Sequence, residues 1–287
     1  MAKYLIVNAD DFGLSPGINA GIIEGFRDGI VTSATLLVNA PAFPEAVQLA
    51  QVHPGLGVGI HLNVVRGPAV LPPRAIPTLV DATGRFRRRP VALVWGLLWQ
   101  RVALEDLRHE WAAQLERALE AGLRPTHVDS EKHVHMYPPL FTLAVEVAAQ
   151  YGIRAIRWAG ERLRVCAFTR WNTQPSKALL VTLCARRCRT RLAGGAVAAN
   201  DHFHGMVDTG FLTSPVLRGI LTRLEEGVTE LMCHPGHLDP TLATADAPLG
   251  PSALIASRAV ELRALTAPPL RAEVQALGIR LIHYGDL

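Results

Sequence analysis

Short apolar runs alternate with amphipathic stretches along almost the whole chain. Tyr4 to Val7 is apolar without a break, as a parallel strand buried on both faces should be. Thr32–Val38, Leu56–Leu62, Ile153–Trp158, Ala196–Asn200, Val228–Cys233 and Ile279–Tyr284 read the same way, with a short strand around His127–Asp129. Between them the period changes. Leu107, Trp111, Leu115 and Leu119 recur every four residues and predict a helix over Leu104–Ala121. Ser15-Pro16 supplies a cap and a first-turn proline for a helix striped by Ile18, Ile22 and Phe26. Pro44–Val52, Pro138–Tyr151, Ser176–Leu192, Ser214–Glu226, Ser252–Leu265 and Pro269–Leu277 complete the helices.

Eight strands alternating with helices predict a parallel sheet with right-handed crossovers, closed as a (β/α) barrel, TIM-like or deformed. No GxGxxG follows the first strand, which disfavours an open doubly wound sheet. At 287 residues the chain has the size of one such barrel, so a single domain over 1–287 is expected. Two long insertions interrupt it, at about 64–103 and 160–195.

The strand ends carry the chemistry. Asp10 and Asp11 follow the first strand and His61 ends the third. His127 and Asp129 mark the fourth, with Glu131, His133 and His135 just beyond, and Arg157 lies near the end of the fifth. His202 and His204 follow the sixth, His234 the seventh. All strand C-termini of a barrel open on one face, so these distant residues should meet. One carboxylate and two imidazoles suit a catalytic divalent metal with open positions. The set read here is Asp11, His61 and His127, although spacing alone allows either aspartate to be the ligand.

Four ordered motifs carry a family resemblance: Val7-Asn8-Ala9-Asp10-Asp11-Phe12-Gly13; Gly59-Ile60-His61-Leu62; Pro125-Thr126-His127-Val128-Asp129-Ser130 with His133 and His135; and Cys233-His234-Pro235-Gly236. Together they resemble the YdjC/ChbG-like carbohydrate deacetylases, relatives of the polysaccharide deacetylases. Leu71-Pro72-Pro73, Gly84-Arg85-Phe86 and Asn200-Asp201-His202 look most like the branch associated with hopanoid biosynthesis. The resemblance implies metal-dependent removal of an N-acetyl group from an amino sugar. Asp10 would be the general base, Asp11, His61 and His127 the metal ligands, and His234 the general acid. Arg157 would hold Asp10 ionised. Asp129, His133, His135 and His202 are read as substrate contacts, with His133 and His135 alternatively supporting the metal ligands from behind. Many relatives carry histidine where this chain has Glu131, so no role is carried onto that position. Zinc or magnesium is the expected metal, with manganese, nickel or cobalt as alternatives. Another metal-dependent barrel hydrolase or isomerase, or a non-catalytic glycan- or glycolipid-binding protein, are the rival readings.

Composition adds limits. Net charge is +4, with arginines clustered at Arg85, Arg87, Arg88, Arg89 and at Arg186, Arg187, Arg189, Arg191. No aromatic residues interleave with them as base stacking requires, which argues against nucleic acid. Cys166, Cys184, Cys188 and Cys233 form no CxxC pair, and the chain starts at a strand. Both features lead us to expect reduced thiols and a cytoplasmic protein. The insertions set apolar runs (Val91–Trp99; the segment from Phe168 to Leu192) beside arginines. They predict a lid or homodimer contact, or an amphipathic lip on the inner face of the membrane that admits a lipid-linked amino sugar.

Overall fold

The computed structural model describes residues 2–87, 89–162, 174–192, 195, 197–243, 249 and 254–287. Arg88, Cys166, Phe168, Ala196 and Ser252, named above, lie outside the described residues.

Among the described residues seven parallel strands make one sheet: β1 (Lys3–Phe12), β2 (Ser33–Leu36), β3 (Gly57–Leu62), β4 (Val128–Ser130), β5 (His202–His204), β6 (Gly227–Cys233) and β7 (Ile279–Leu281). The order is β4-β3-β2-β1-β6-β5. β6 pairs with Lys3–Ala9 of β1, β2 with its later residues, and β7 with Lys3–Leu5. β7 and β2 therefore share one edge of β1, which no regular eight-stranded barrel allows. Around the sheet run α1 (Pro16–Arg27), α2 (Phe43–Val52), α3 (Pro90–Leu98), α4 (Leu104–Glu120), α5 (Pro138–Gln150), α6 (Gln174–Leu192), α7 (Ser214–Leu221), α8 (Ile255–Leu265) and α9 (Leu270–Ala276).

The architecture is a parallel sheet bent into an incomplete (β/α) barrel. The expected strands at Ile153–Trp158 and Ala196–Asn200 are reduced to single bridges, Val128 to Ile156 and Ala155 to Ala198, with Glu161 to Phe203 beyond. A side chain replaces part of the missing ladder. Asn200 accepts from the Trp158 N–H at 2.8 Å and donates to the Trp158 carbonyl at 2.9 Å. The proline-rich insertion after β3 is also more ordered than its composition predicts. It contains α3, and Glu110 of α4 pins it by accepting from the Val70 and Leu71 N–H groups.

β1 shows how sequence places the site. Leu5, Ile6 and Val7 are fully buried, as a central parallel strand requires. The register with β2 then slips between Ala9 and Phe12, a bulge that falls on the two aspartates. Asp11 sits at φ 72°, a left-handed conformation disfavoured for a side-chain-bearing residue. Such a conformation is held by its surroundings and is common at functional sites. Ser15 then caps α1 by accepting from the Ile18 N–H, and Ile18 and Ile22 bury its inner face.

Candidate active site

Bulge and strand ends together gather a buried charged cluster. Arg157, fully buried, donates from both terminal nitrogens to Asp10, at 2.6 and 2.9 Å. It also reaches Asp129 at 2.5 Å and Glu230 at 2.7 Å. Asn8 Nδ2 adds a bond to Asp10 Oδ1 at 2.9 Å. Burial alone would raise the Asp10 carboxyl, but Arg157 overrides it and holds Asp10 far below the usual carboxylate range. Glu230 behaves in the opposite way. Burial outweighs the same guanidinium and pushes its carboxyl up to about 7. Tyr284 donates its hydroxyl to Glu230.

Nearer the mouth lies a second group. His61 Nδ1 stands 2.7 Å from Asp129 Oδ1, and its Nε2 is 3.4 Å from Glu131 Oε2. The ring is deeply buried, yet Asp129 and Glu131 raise its pKa well above the ordinary histidine value. Arg66 Nη2 bridges Asp11 Oδ1 at 3.0 Å and Glu131 Oε2 at 3.1 Å. Arg258, from α8, donates to the other oxygen of Asp11. Burial again opposes ionisation, and Arg258 and Arg66 bring Asp11 down to about 2. Glu131 is likewise held well below its usual value, by Arg66 and Lys132.

Among the described residues, two sets of ligand-capable atoms lie within 4.8 Å of one another: Asp10, His61 and Asp129; and Asp11, His61 and Glu131. His127 belongs to neither set. It packs against Gly59, two residues before His61, where a Cβ would overlap its ring. It also stacks on Tyr284 at 3.9 Å between centroids, and its Nδ1 is 2.9 Å from the Thr126 hydroxyl. The expected Asp11–His61–His127 set is therefore not brought together: His127 lies one side-chain layer deeper. The third ligand-capable atom beside Asp11 and His61 is that of Glu131, while the Nε2 of His127 is buried without a hydrogen-bond partner. Lys132 and His133, at φ 56° and 54°, turn the chain after β4 in the 3₁₀ segment Glu131–Met136, and this turn lays Glu131 beside His61.

The other expected residues divide. His234 is buried after β6, its N–H donating to Glu261 Oε2 at 2.6 Å and its Nδ1 without a hydrogen-bond partner. Burial lowers the imidazole to about 4, against the pull of Asp10 and Asp11, so it is neutral at pH 7. His133 meets Phe203 edge-on at 5.9 Å and also keeps an unpartnered Nδ1. His135 is differently placed from the expectation of substrate contact. Its Nε2 faces the Arg157 carbonyl at 3.1 Å and its Nδ1 faces the Ser130 hydroxyl, so protein groups occupy both nitrogens. Asp129 is fully buried between His61 and Arg157, which makes it a support for His61 rather than a contact for substrate. His202 leaves the site altogether. It lines a cavity of about 410 Å³ with Trp158, Arg189 and Glu225.

The model of the family described as YdjC-like protein matches residues 4–276. The chain belongs to the YdjC-like family. It is 37% identical over 287 residues to a carbohydrate deacetylase of Geobacillus stearothermophilus, covering 100% of this chain and 98% of that protein. It is 35% identical to a chitooligosaccharide deacetylase of Escherichia fergusonii, with both chains fully covered. Among solved structures it resembles that of a protein from Enterococcus faecalis V583 named for cellobiose-phosphate cleavage. The TM-score is 0.73 at 27% identity, covering 100% of this chain and 99% of that one.

Within this YdjC-like chain the cations of the site, Arg66 and Arg258, have no counterpart in the strand-end pattern. Arg66 follows β3 in a turn built by Asn63, whose Oδ1 accepts from the Val65 N–H at 3.0 Å. Arg258 sits mid-helix, where an arginine usually faces water. Its only sequence signal is Glu261 three residues on, also buried.

Proposed function

We propose that the chain is a metal-dependent deacetylase that hydrolyses the N-acetyl group of an amino sugar. The observation that carries this reading is the convergence of Asp11, His61 and Glu131 beside a separately held carboxylate, Asp10. The relatives' names, carbohydrate and chitooligosaccharide deacetylase, point the same way.

A metal fits these residues. His61 presents Nε2 to the cluster while Asp129 occupies its Nδ1, the carboxylate–histidine arrangement that orients metal-ligating imidazoles. Asp11 and Glu131 are both held ionised at a place that already calls for positive charge, since Arg66 bridges them. Asp11, His61 and Glu131 would hold the ion. Two carboxylates and one imidazole are a harder donor set than Asp-His-His, so we assign magnesium or manganese ahead of zinc. A divalent ion bound there supplies a Lewis acid that lowers the pKa of water, to about 7 in favourable sites, and polarises an amide carbonyl.

The chain's own groups do the rest. Arg157 keeps Asp10 a carboxylate and fixes its direction, and Asp10 takes the proton of the attacking water. His234, buried after β6 and neutral, has an unpartnered Nδ1 through which it relays to the departing nitrogen the proton that Asp10 takes from the water. Asp129 keeps the His61 ring in place. Acetate release from N-acetylated chitooligosaccharides tests the reading. Metal-stripped protein should be inactive and regain turnover with magnesium or manganese; equal acetate release with and without metal would refute it.

A further inference from the structure

α3 is apolar all round: Pro90-Val91-Ala92-Leu93-Val94-Trp95-Gly96-Leu97-Leu98, without one polar side chain. Leu93 and Gly96 face the core. Val91, Trp95, Leu98 and the following Trp99 lie on the opposite face and are 62, 55, 58 and 68% exposed. Leaving two tryptophans in water is costly for a surface with no partner. Exposed arginines flank it along the chain: Arg85, Arg87 and Arg89 before the helix and Arg101 after it.

The chain leading into the helix is tied down. The Phe86 N–H donates to the Gly67 carbonyl at 2.9 Å, and the Ala69 N–H to that of Gly84. This short ladder starts directly after Arg66, which touches Asp11 and Glu131. Asp106 and Glu110 of α4 hold the intervening loop. α3 thus begins four residues after Phe86, in an insertion whose first charged residue after β3, Arg66, touches the candidate active site. In the second insertion α6 packs against the Glu131–Met136 segment and exposes Leu179, Leu180 and Leu183 ahead of Arg186 and Arg187.

We propose that the outer face of α3 docks on an anionic lipid bilayer, the tryptophans entering the interfacial region and the arginines meeting the head groups. Tryptophan favours that interface, and basic residues flanking an apolar helix face are its electrostatic complement. A second copy fits less well. Four side chains on one short helix fall short of the roughly 800 Å² per partner of a stable dimer. A symmetric contact would also bring the flanking arginines of two copies together. A saccharide needs hydrogen-bonding groups between the rings, and the side chains of the face itself offer only the two indole N–H groups. Among the described residues no helix is long and apolar enough to cross a membrane, so the contact is peripheral.

Vesicle flotation of the full chain tests this independently of the deacetylase reading. The probes are vesicles of phosphatidylcholine alone and of phosphatidylcholine with phosphatidylglycerol, at low salt. The protein should float with the anionic vesicles, stay behind with the neutral ones, and be released by salt. Trp95→Glu/Trp99→Glu should abolish flotation while circular dichroism and acetate release from a soluble oligosaccharide stay unchanged. Arg87→Glu and Arg89→Glu should each weaken binding roughly fivefold or more. Absence of flotation by the wild type would overturn the proposal. So would sedimentation as a dimer that the tryptophan pair abolishes without any vesicle binding.

Discussion

His61 and His127 stand one side-chain layer apart on the same wall of the barrel, both buried, and they have different company. Around His61 are Asp11, Glu131 and Asp129, with two arginines neutralising the carboxylates. Around His127 are the Tyr284 ring, the Gly59 backbone and a threonine hydroxyl, with the charges of Arg157 and Asp10 in reach and its buried Nε2 without a hydrogen-bond partner. Burial lowers the pKa of His127 well below the ordinary value, whereas carboxylates raise that of His61. The upper layer gathers ligand atoms and charge; the lower layer packs rings. Arg157 joins the two, touching Asp10 and Asp129 above and Glu230 below.

The strongest way to break this division is to remove the joint. Arg157→Met leaves three buried carboxylates without their cation. It should cost on the order of 3–5 kcal/mol of stability, measurable by denaturant unfolding, as for other broken buried pairs. Asp10→Asn should be milder for the fold but severe for chemistry. Metal content should stay at the wild-type level while turnover falls about 10²- to 10⁴-fold. An Asp10→Asn protein with full turnover would remove Asp10 from its proposed role.

The lower layer can be sharpened by pH. Glu230 is raised to about 7 when folded, against an ordinary unfolded value, so the folded state holds its proton more tightly. The sign follows: its contribution is fully present below the unfolded carboxylate range and is lost as pH rises through about 7. Glu230→Gln should lack this loss. Relative to wild type it should gain on the order of 2–3 kcal/mol between pH 5 and pH 8, as read by unfolding at both values. A constant difference would place Glu230's charge outside the balance. The smallest expected effect on the site is that of Asp129→Asn, which alters the orientation and basicity of His61 and leaves Arg157 paired with Asp10 and Glu230. Metal affinity should fall about 10- to 100-fold, as read by calorimetric titration.

Much of the frame was legible beforehand. β1, β3 and β6 announce themselves as apolar runs ending in Asp10-Asp11, His61 and His234, and the helical period of α4 is plain. The motifs sufficed to place the chain among the YdjC-like proteins. The layer of His127 was not legible. It alternates with Asp129, so both point from β4 into the same interior, and a two-residue period cannot say which is deeper. Glu131 was hidden for a different reason: Lys132 and His133 adopt left-handed backbone that no glycine marks. Arg258 lies on a helix, where residue pattern predicts solvent, and it is buried only because Asp11 of a distant strand takes its charge. The open barrel wall likewise depends on Asn200 side-chain bonds that look in sequence like any polar strand end.

One titration tests the division between the two layers most directly. Manganese binding to the wild type, Glu131→Ala and His127→Ala should be measured side by side by calorimetry, with circular dichroism to establish that all three are folded. The account predicts that Glu131→Ala loses at least about two orders of magnitude in affinity while His127→Ala binds like the wild type. Retained binding in Glu131→Ala together with loss in His127→Ala would contradict it.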